Sequence, residues 1–169
     1  NILHTSLLNA VDIKEENIHI PDGSVPGDKI SAYCEEYDRM ARNLDMLVIG
    51  MGEAGQVGFN EAGTTPSSRT RTVLLSYQSR KRQGKNFNGD FKHTPSEAIT
   101  VGIDTMMSAK KIILMAWGED KANAVKQVVE HKADSDFPAS FLQNHKDITC
   151  YVDETAASLL TRVVSPWLV

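Results

Sequence analysis

The sequence predicts an α/β fold built on a doubly wound, mostly parallel sheet. Apolar runs of strand length stand at residues 46–49, 111–117 and 148–152. Segments with helical spacing lie between them, and strands that alternate with helices favour parallel crossover units. The first strand breaks into a glycine loop at Gly50, Gly52 and Gly55. In open α/β sheets the ligand crevice lies at the carboxyl ends of strands.

In chain order, residues 1–11 read as the end of an amphipathic helix. Asn17-Ile18-His19-Ile20 reads as a short strand, closed by the turn Pro21-Asp22-Gly23. After the break at Pro26-Gly27, Ile30, Tyr33, Cys34, Tyr37, Met40, Ala41 and Leu44 recur at helical spacing. That helix should run from Asp28 to about Asn43. The strand 46–49 and the glycine loop follow. Residues 64–71 are polar loop, and 72–75 a short strand. Residues 76–95, rich in Lys, Arg, Asn and Gly, read as an exposed connection with some helix. Pro95-Ser96-Glu97 opens the next element, 99–103 is apolar, and 105–109 continues as helix. Gly118 ends the strand 111–117. Glu119-Asp120 caps a helix to about His131, with Ala122, Val125, Val128 and Val129 on one face. Phe141-Leu142 begins a short helical turn. After the strand 148–152, residues 154–160 read as a last helix.

The 169 residues suit one domain, and a hydrophobic content of 41% with 24% charged residues supports a packed core. A formal net charge of −4 argues against nucleic acid or an anionic membrane as the main partner. No apolar run approaches the ~18 residues of a membrane span. The two cysteines, Cys34 and Cys150, lie far apart without metal or redox spacing. Reduced, buried thiols and a cytoplasmic location are expected, with no metal and no cofactor.

Gly50-Met51-Gly52-Glu53-Ala54-Gly55 spells the glycine pattern of dinucleotide loops. Its context differs. Asn60, Gly63 and Pro66 break the chain where a helix should continue. Leu74-Leu75 stands about 20 residues on, where an acidic residue should meet a ribose.

Gly52-x-x-Gly55-x-x-x-Phe59-Asn60-Glu61-x-Gly63, followed by Ser68-Arg69-Thr70-Arg71, resembles the glucosamine-6-phosphate deaminase/isomerase family. Further blocks are similar to that family in the same order: residues 18–23, 98–105, 111–121, 141–145 and 152–154. The resemblance implies a Rossmann-like sheet, with residues 1–169 forming one partial domain, the C-terminal part of a sugar-phosphate isomerase fold. The family's first phosphate loop and enolising aspartate would lie upstream of Asn1. The ending, residues 160–169, resembles the junction to a second domain in longer members.

The resemblance also implies a reaction. Glucosamine 6-phosphate or its galactosamine epimer is ring-opened, isomerised to a ketose 6-phosphate through an enediol-type step, and releases ammonia. The family pattern D-G-H-[IV]-x-F-N-E supplies a proton-shuttling histidine set by carboxylates. Here it reads Ala54-Gly55-Gln56-Val57-Gly58-Phe59-Asn60-Glu61. Glu61 is retained, and Gln56 stands for the histidine. Glutamine donates and accepts hydrogen bonds but does not titrate near neutrality. Lys121 matches a phosphate-contacting lysine at a helix start, and Lys85 stands where the family has a phosphate-contacting arginine. Glu61 and Gln56 are therefore the catalytic candidates. Gly50, Gly52, Gly55, Lys85 and Lys121 are the substrate and phosphate candidates. His145 falls at a position that looks structural.

An allosteric phosphate site of some members reads Thr64, Arg71 and Val73 here, without its lysine. The expected partner is a small amino-sugar phosphate, and the resemblance allows a homo-oligomer. The alternative to an isomerase/deaminase is a non-catalytic sugar-phosphate-binding or structural domain of a larger protein. Hydrolysis of 6-phosphogluconolactone, on the same fold, also requires the missing histidine.

Overall fold

The computed structural model describes residues 2–87 and 89–161. The resemblance to a domain junction therefore lies, from Arg162 onward, outside the described residues. In order the elements are α1 (Ile2–Ser6), α2 (Ile30–Met40), β1 (Leu47–Gly50), β2 (Arg71–Leu74), α3 (Tyr77–Gln83), β3 (Glu97–Thr100), α4 (Ile103–Met107), β4 (Ile112–Ala116), α5 (Ala122–Glu130) and β5 (Ile148–Val152).

The three apolar runs form one parallel sheet in the order β1-β4-β5. Leu47 pairs with Ile112, and Ile112 in turn with Ile148. β4 is central, so it is apolar along its length, as a strand covered on both faces must be. Ile112, Leu114 and Ala116 are at most 2% exposed. They pack into one cluster with Val57, Ile103, Val125 and Leu142. The sheet thus presses the glycine-loop residue Val57 into the same core as the helices. β2 and β3 form a separate antiparallel pair, with Arg71 opposite Thr100.

Several expectations are corrected. Residues 17–20 are not a strand: a 3-10 turn covers Glu15–Asn17, and Tyr37 donates its hydroxyl to the His19 carbonyl at 2.9 Å. That contact ties the segment to α2 rather than to a sheet. The opening helix is shorter than read, Ile2–Ser6 followed by a 3-10 turn at Leu8–Ala10. The helix read over 28–43 spans Ile30–Met40, and Asn43 takes a positive φ of 60° that a helix cannot continue through.

Residues 154–160 form turns, not a helix. The Asp153 carboxylate takes the Ala156 N–H at 2.8 Å, and the next bonds mix three- and four-residue spans. Val129 is 48% exposed because it rims a groove over Ile148 and Cys150 beyond the buried face of α5. The segment 76–95 is folded as well as polar. Ser76 caps α3 by accepting the Ser79 N–H, and the Arg80 guanidinium stacks on the Phe91 ring at 4.2 Å.

Cys34 is buried and Cys150 half-buried, both free. Burial pushes both thiols above their ordinary range, which suppresses the reactive thiolate. Among the described residues no helix is long and apolar enough to cross a membrane.

Candidate active site

β1 ends at Gly50, and the Met51 N–H extends the pairing to the Met115 carbonyl at 2.9 Å. The chain then folds back. The Gly55 N–H reaches the Gly52 carbonyl, and the Gly52 N–H reaches the Gln56 carbonyl, both at 2.9 Å. Gly55 is required by geometry, and Gly52 lies tight against a side chain. A Cβ at Gly52 would stand 2.2 Å from the Gln56 amide carbon. At Gly55, φ is +70° and a Cβ would stand 2.8 Å from the Phe137 ring. Gly50 has no such constraint, since its nearest neighbour would be the Met115 carbonyl at 4.0 Å. The loop is pinned from the far side by the Ala139 N–H, which donates to the Gly55 carbonyl at 2.8 Å.

Gln56 is 8% exposed and its amide oxygen accepts the Ala54 N–H at 3.0 Å. Its side chain therefore lies back over Gly52 and closes the loop on itself. Asn60 is fully buried and acts as a staple. Its amide donates to the Val57 and Val101 carbonyls at 3.0 and 2.8 Å, and its oxygen accepts from Arg71 at 3.0 Å. The next residue, Glu61, is held by its backbone: its carbonyl accepts the Thr64 N–H and hydroxyl at 3.0 and 2.7 Å. Its side chain is not held. Glu61 Oε1 is buried without a hydrogen-bond partner among the described residues. Buried carboxylate oxygens are normally bonded, so such an atom is a candidate ligand group.

Gln56 and Glu61 line one hollow of about 260 Å³, with Glu53 and Ala54 from the loop and Ser76, Gln78, Ser79 and Arg82 around α3. Arg82 and Glu53 meet at 2.7 Å across it. Lys121 lies on the 3-10 turn Glu119–Lys121, just before α5, with its ammonium against the Asp120 carboxylate. Gly118 makes that turn at φ +91°, and donates its N–H to both Asp153 oxygens at 3.0 and 3.2 Å. The N–H groups of Ala156 and Gly118 hold the Asp153 carboxyl below its ordinary range. The hydrogen bond from Lys121 does the same for Asp120, and the Arg82 charge adds to it. The Lys121 turn and the Arg82 wall are thus electrostatic neighbours.

The structure brings Gln56 and Glu61 together in the lining of one hollow beside the Gly52–Gly55 loop, and leaves Lys121 outside that lining. It places Lys85 on the exposed face of the 3-10 segment Gly84–Phe87, outside the lining of the hollow. None of the five histidines lines it. His145 is buried elsewhere: Nε2 lies 2.8 Å from the Ala109 carbonyl, and Nδ1 accepts the Asp147 N–H at 3.1 Å. Arg82 and the α3 wall were missed from sequence because residues 76–95 read as exposed connection. The available signal was Ser79 and Arg82, three apart, which share a helix face. Among the described residues no group of three or more His, Cys, Asp or Glu is placed to hold a metal ion.

Comparison with known proteins agrees with this architecture. A family model described as glucosamine-6-phosphate isomerases/6-phosphogluconolactonase matches residues 1–151. A glucosamine-6-phosphate deaminase-like protein of Bacteroides thetaiotaomicron is 40% identical, covering 100% of this chain and 26% of its own length. The glucosamine-6-phosphate deaminase of Halalkalibacterium halodurans is 38% identical over 91% of this chain and 63% of its own. The solved structure of a monomeric glucosamine-6-phosphate deaminase superposes with a TM-score of 0.87 at 35% identity, over 94% of this chain and 66% of that one. The chain therefore spans about a quarter of the first relative and under two thirds of the two deaminases. A 6-phosphogluconolactonase from Thermotoga maritima, at 20% identity and a TM-score of 0.64, shares the fold alone, so a hydrolase reading gains no support. The match over nearly the whole chain, and a parallel sheet that ends in this glycine loop, make one conclusion: the chain belongs to the glucosamine-6-phosphate isomerase/6-phosphogluconolactonase family.

Proposed function

We propose that the protein containing this chain acts on an amino-sugar 6-phosphate, glucosamine 6-phosphate or its galactosamine epimer. It isomerises the substrate to a ketose 6-phosphate and releases ammonia, at a rate limited by the missing proton shuttle. The observation that carries this reading is the unpartnered buried oxygen of Glu61, a residue that lines a hollow beside the glycine loop. A sugar hydroxyl or ammonium would give that oxygen its partner. Lys121, at the start of α5, would meet the phosphate with its ammonium charge.

Gln56 limits the chemistry. Its amide can orient a hydroxyl, but it neither takes up nor releases a proton near neutrality. Ala54 supplies no carboxylate, and Glu53 is turned to Arg82. These features support a second reading, that the protein binds the sugar phosphate without turning it over.

Ammonia release from glucosamine 6-phosphate by the full-length protein separates the two. Slow release is expected, and Gln56→His with Ala54→Asp should raise it by roughly 10²–10⁴-fold, the usual contribution of a positioned acid–base group. Binding with no release from either form would select the second reading. No binding at all would overturn both.

A further inference from the structure

We propose that Arg82 is a ligand of the substrate's phosphate, shared with Lys121, and that Glu53 occupies it until the phosphate displaces that carboxylate. The inference rests on the amino-sugar-phosphate reading above and names the group that recognises the charged end.

The last turn of α3 carries Arg80, Lys81 and Arg82. Arg80 is committed to the fold: it stacks on Phe91 and donates to the Phe91 and Thr94 carbonyls at 3.2 and 3.0 Å. Arg82 instead lines the hollow that contains Glu61 and Gln56, and reaches across it to Glu53 at 2.7 Å. The pair is open to solvent, with side chains 38% and 50% exposed, so it contributes little stability and breaks readily.

Lys121 shows the same arrangement on the 3-10 turn before α5, its ammonium held by the exposed Asp120 carboxylate. Each cation is thus occupied by a solvent-exposed acid. A phosphate dianion presents several oxygens to both cations at once and matches the guanidinium fork bidentately. It would take Arg82 from Glu53 and Lys121 from Asp120 in a single binding event. Lys85 lies outside the hollow, which leaves Arg82 as the guanidinium in its wall.

The test is calorimetric titration of the full-length protein and its Arg82→Gln and Glu53→Gln variants with glucosamine 6-phosphate. Thermal unfolding checks each fold. Arg82→Gln should weaken binding at least tenfold. Glu53→Gln, which removes the competing carboxylate, should bind as tightly as the native protein or several-fold tighter. Native binding that Arg82→Gln leaves unchanged would overturn the Arg82 assignment while sparing the proposed function. Equal losses in both variants would also overturn it, because the intact pair rather than the freed guanidinium would then shape the site. Absence of binding by the native protein would overturn the proposed function and this inference together.

Discussion

Asp38 and Glu61 are two acids in the same chain with opposite treatment. Asp38 is 1% exposed and fully partnered. It accepts the Thr70 N–H at 2.8 Å, the Thr105 hydroxyl, and the guanidinium groups of Arg69 at 2.7 Å and Arg42 at 3.1 Å. Arg42 also reaches Asp104 at 2.5 Å. One carboxylate therefore joins α2, the loop before β2, and α4. Glu61, half-buried at the hollow, leaves Oε1 with no partner among the described residues. The contrast separates a carboxylate that organises the fold from one whose buried oxygen the fold leaves unpartnered.

The comparison is easiest to break at Asp38. Asp38→Asn should lower stability by about 2–3 kcal/mol, because a buried carboxylate loses its charge-assisted bonds to Arg69 and Arg42. Equilibrium denaturation measures it. Burial pushes the Asp38 carboxyl up, and the bonds from Thr105, Thr70 and Arg69 overcome it and hold the group well below the ordinary carboxylate range. Its stabilisation is thus fully present above the unfolded value of about 3.9 and fades as pH falls through the depressed folded value. Native stability should fall with acid below about pH 4. In Asp38→Asn that part of the slope should be missing.

Gly55→Ala should cost about 1–3 kcal/mol, since it forces a side chain into positive φ against the Phe137 ring. The loss should appear in thermal unfolding and should be accompanied by weaker sugar-phosphate binding. Glu61→Gln sharpens the contrast from the other side. Its stability should stay within about 1 kcal/mol of native, or rise, because an amide of the same size costs no more than a carboxyl to leave unpartnered at this buried position. Its affinity for glucosamine 6-phosphate should nevertheless drop. A loss of stability as large as that of Asp38→Asn would show that Glu61 is structural.

Much of the fold was legible because period and composition act locally. The runs at 46–49, 111–117 and 148–152 are apolar enough to read as strands, and they became β1, β4 and β5 within a residue at each end. The short strand read at 17–20 failed because a strand needs a neighbour, and the segment found α2 instead. The turns at 154–160 had a helix-like composition and Asp153 as a cap, but Ser158 and Leu160 bond back only three residues, to Thr155 and Ala157, so no α-helix continues.

At the site, the glycine spacing and Phe59-Asn60-Glu61 located the loop. The side-chain directions were not legible. Nothing in Gln56 itself dictates that it turns to the Ala54 N–H, and nothing in a basic stretch separates Arg80, stacked on a ring, from Arg82, facing a hollow.

By itself the sequence determined the α/β class, the strand that ends in glycines, and the family. These depend on residue identity and on periods that repeat along the chain. Only the tertiary structure decided that Asp38 is a shared counter-charge, that Glu61 is left unpartnered, and that Arg82 stands across from Glu53. Those outcomes join residues about 30 or more positions apart, and their energies depend on burial and distance, which exist only once the sheet has brought its loops together.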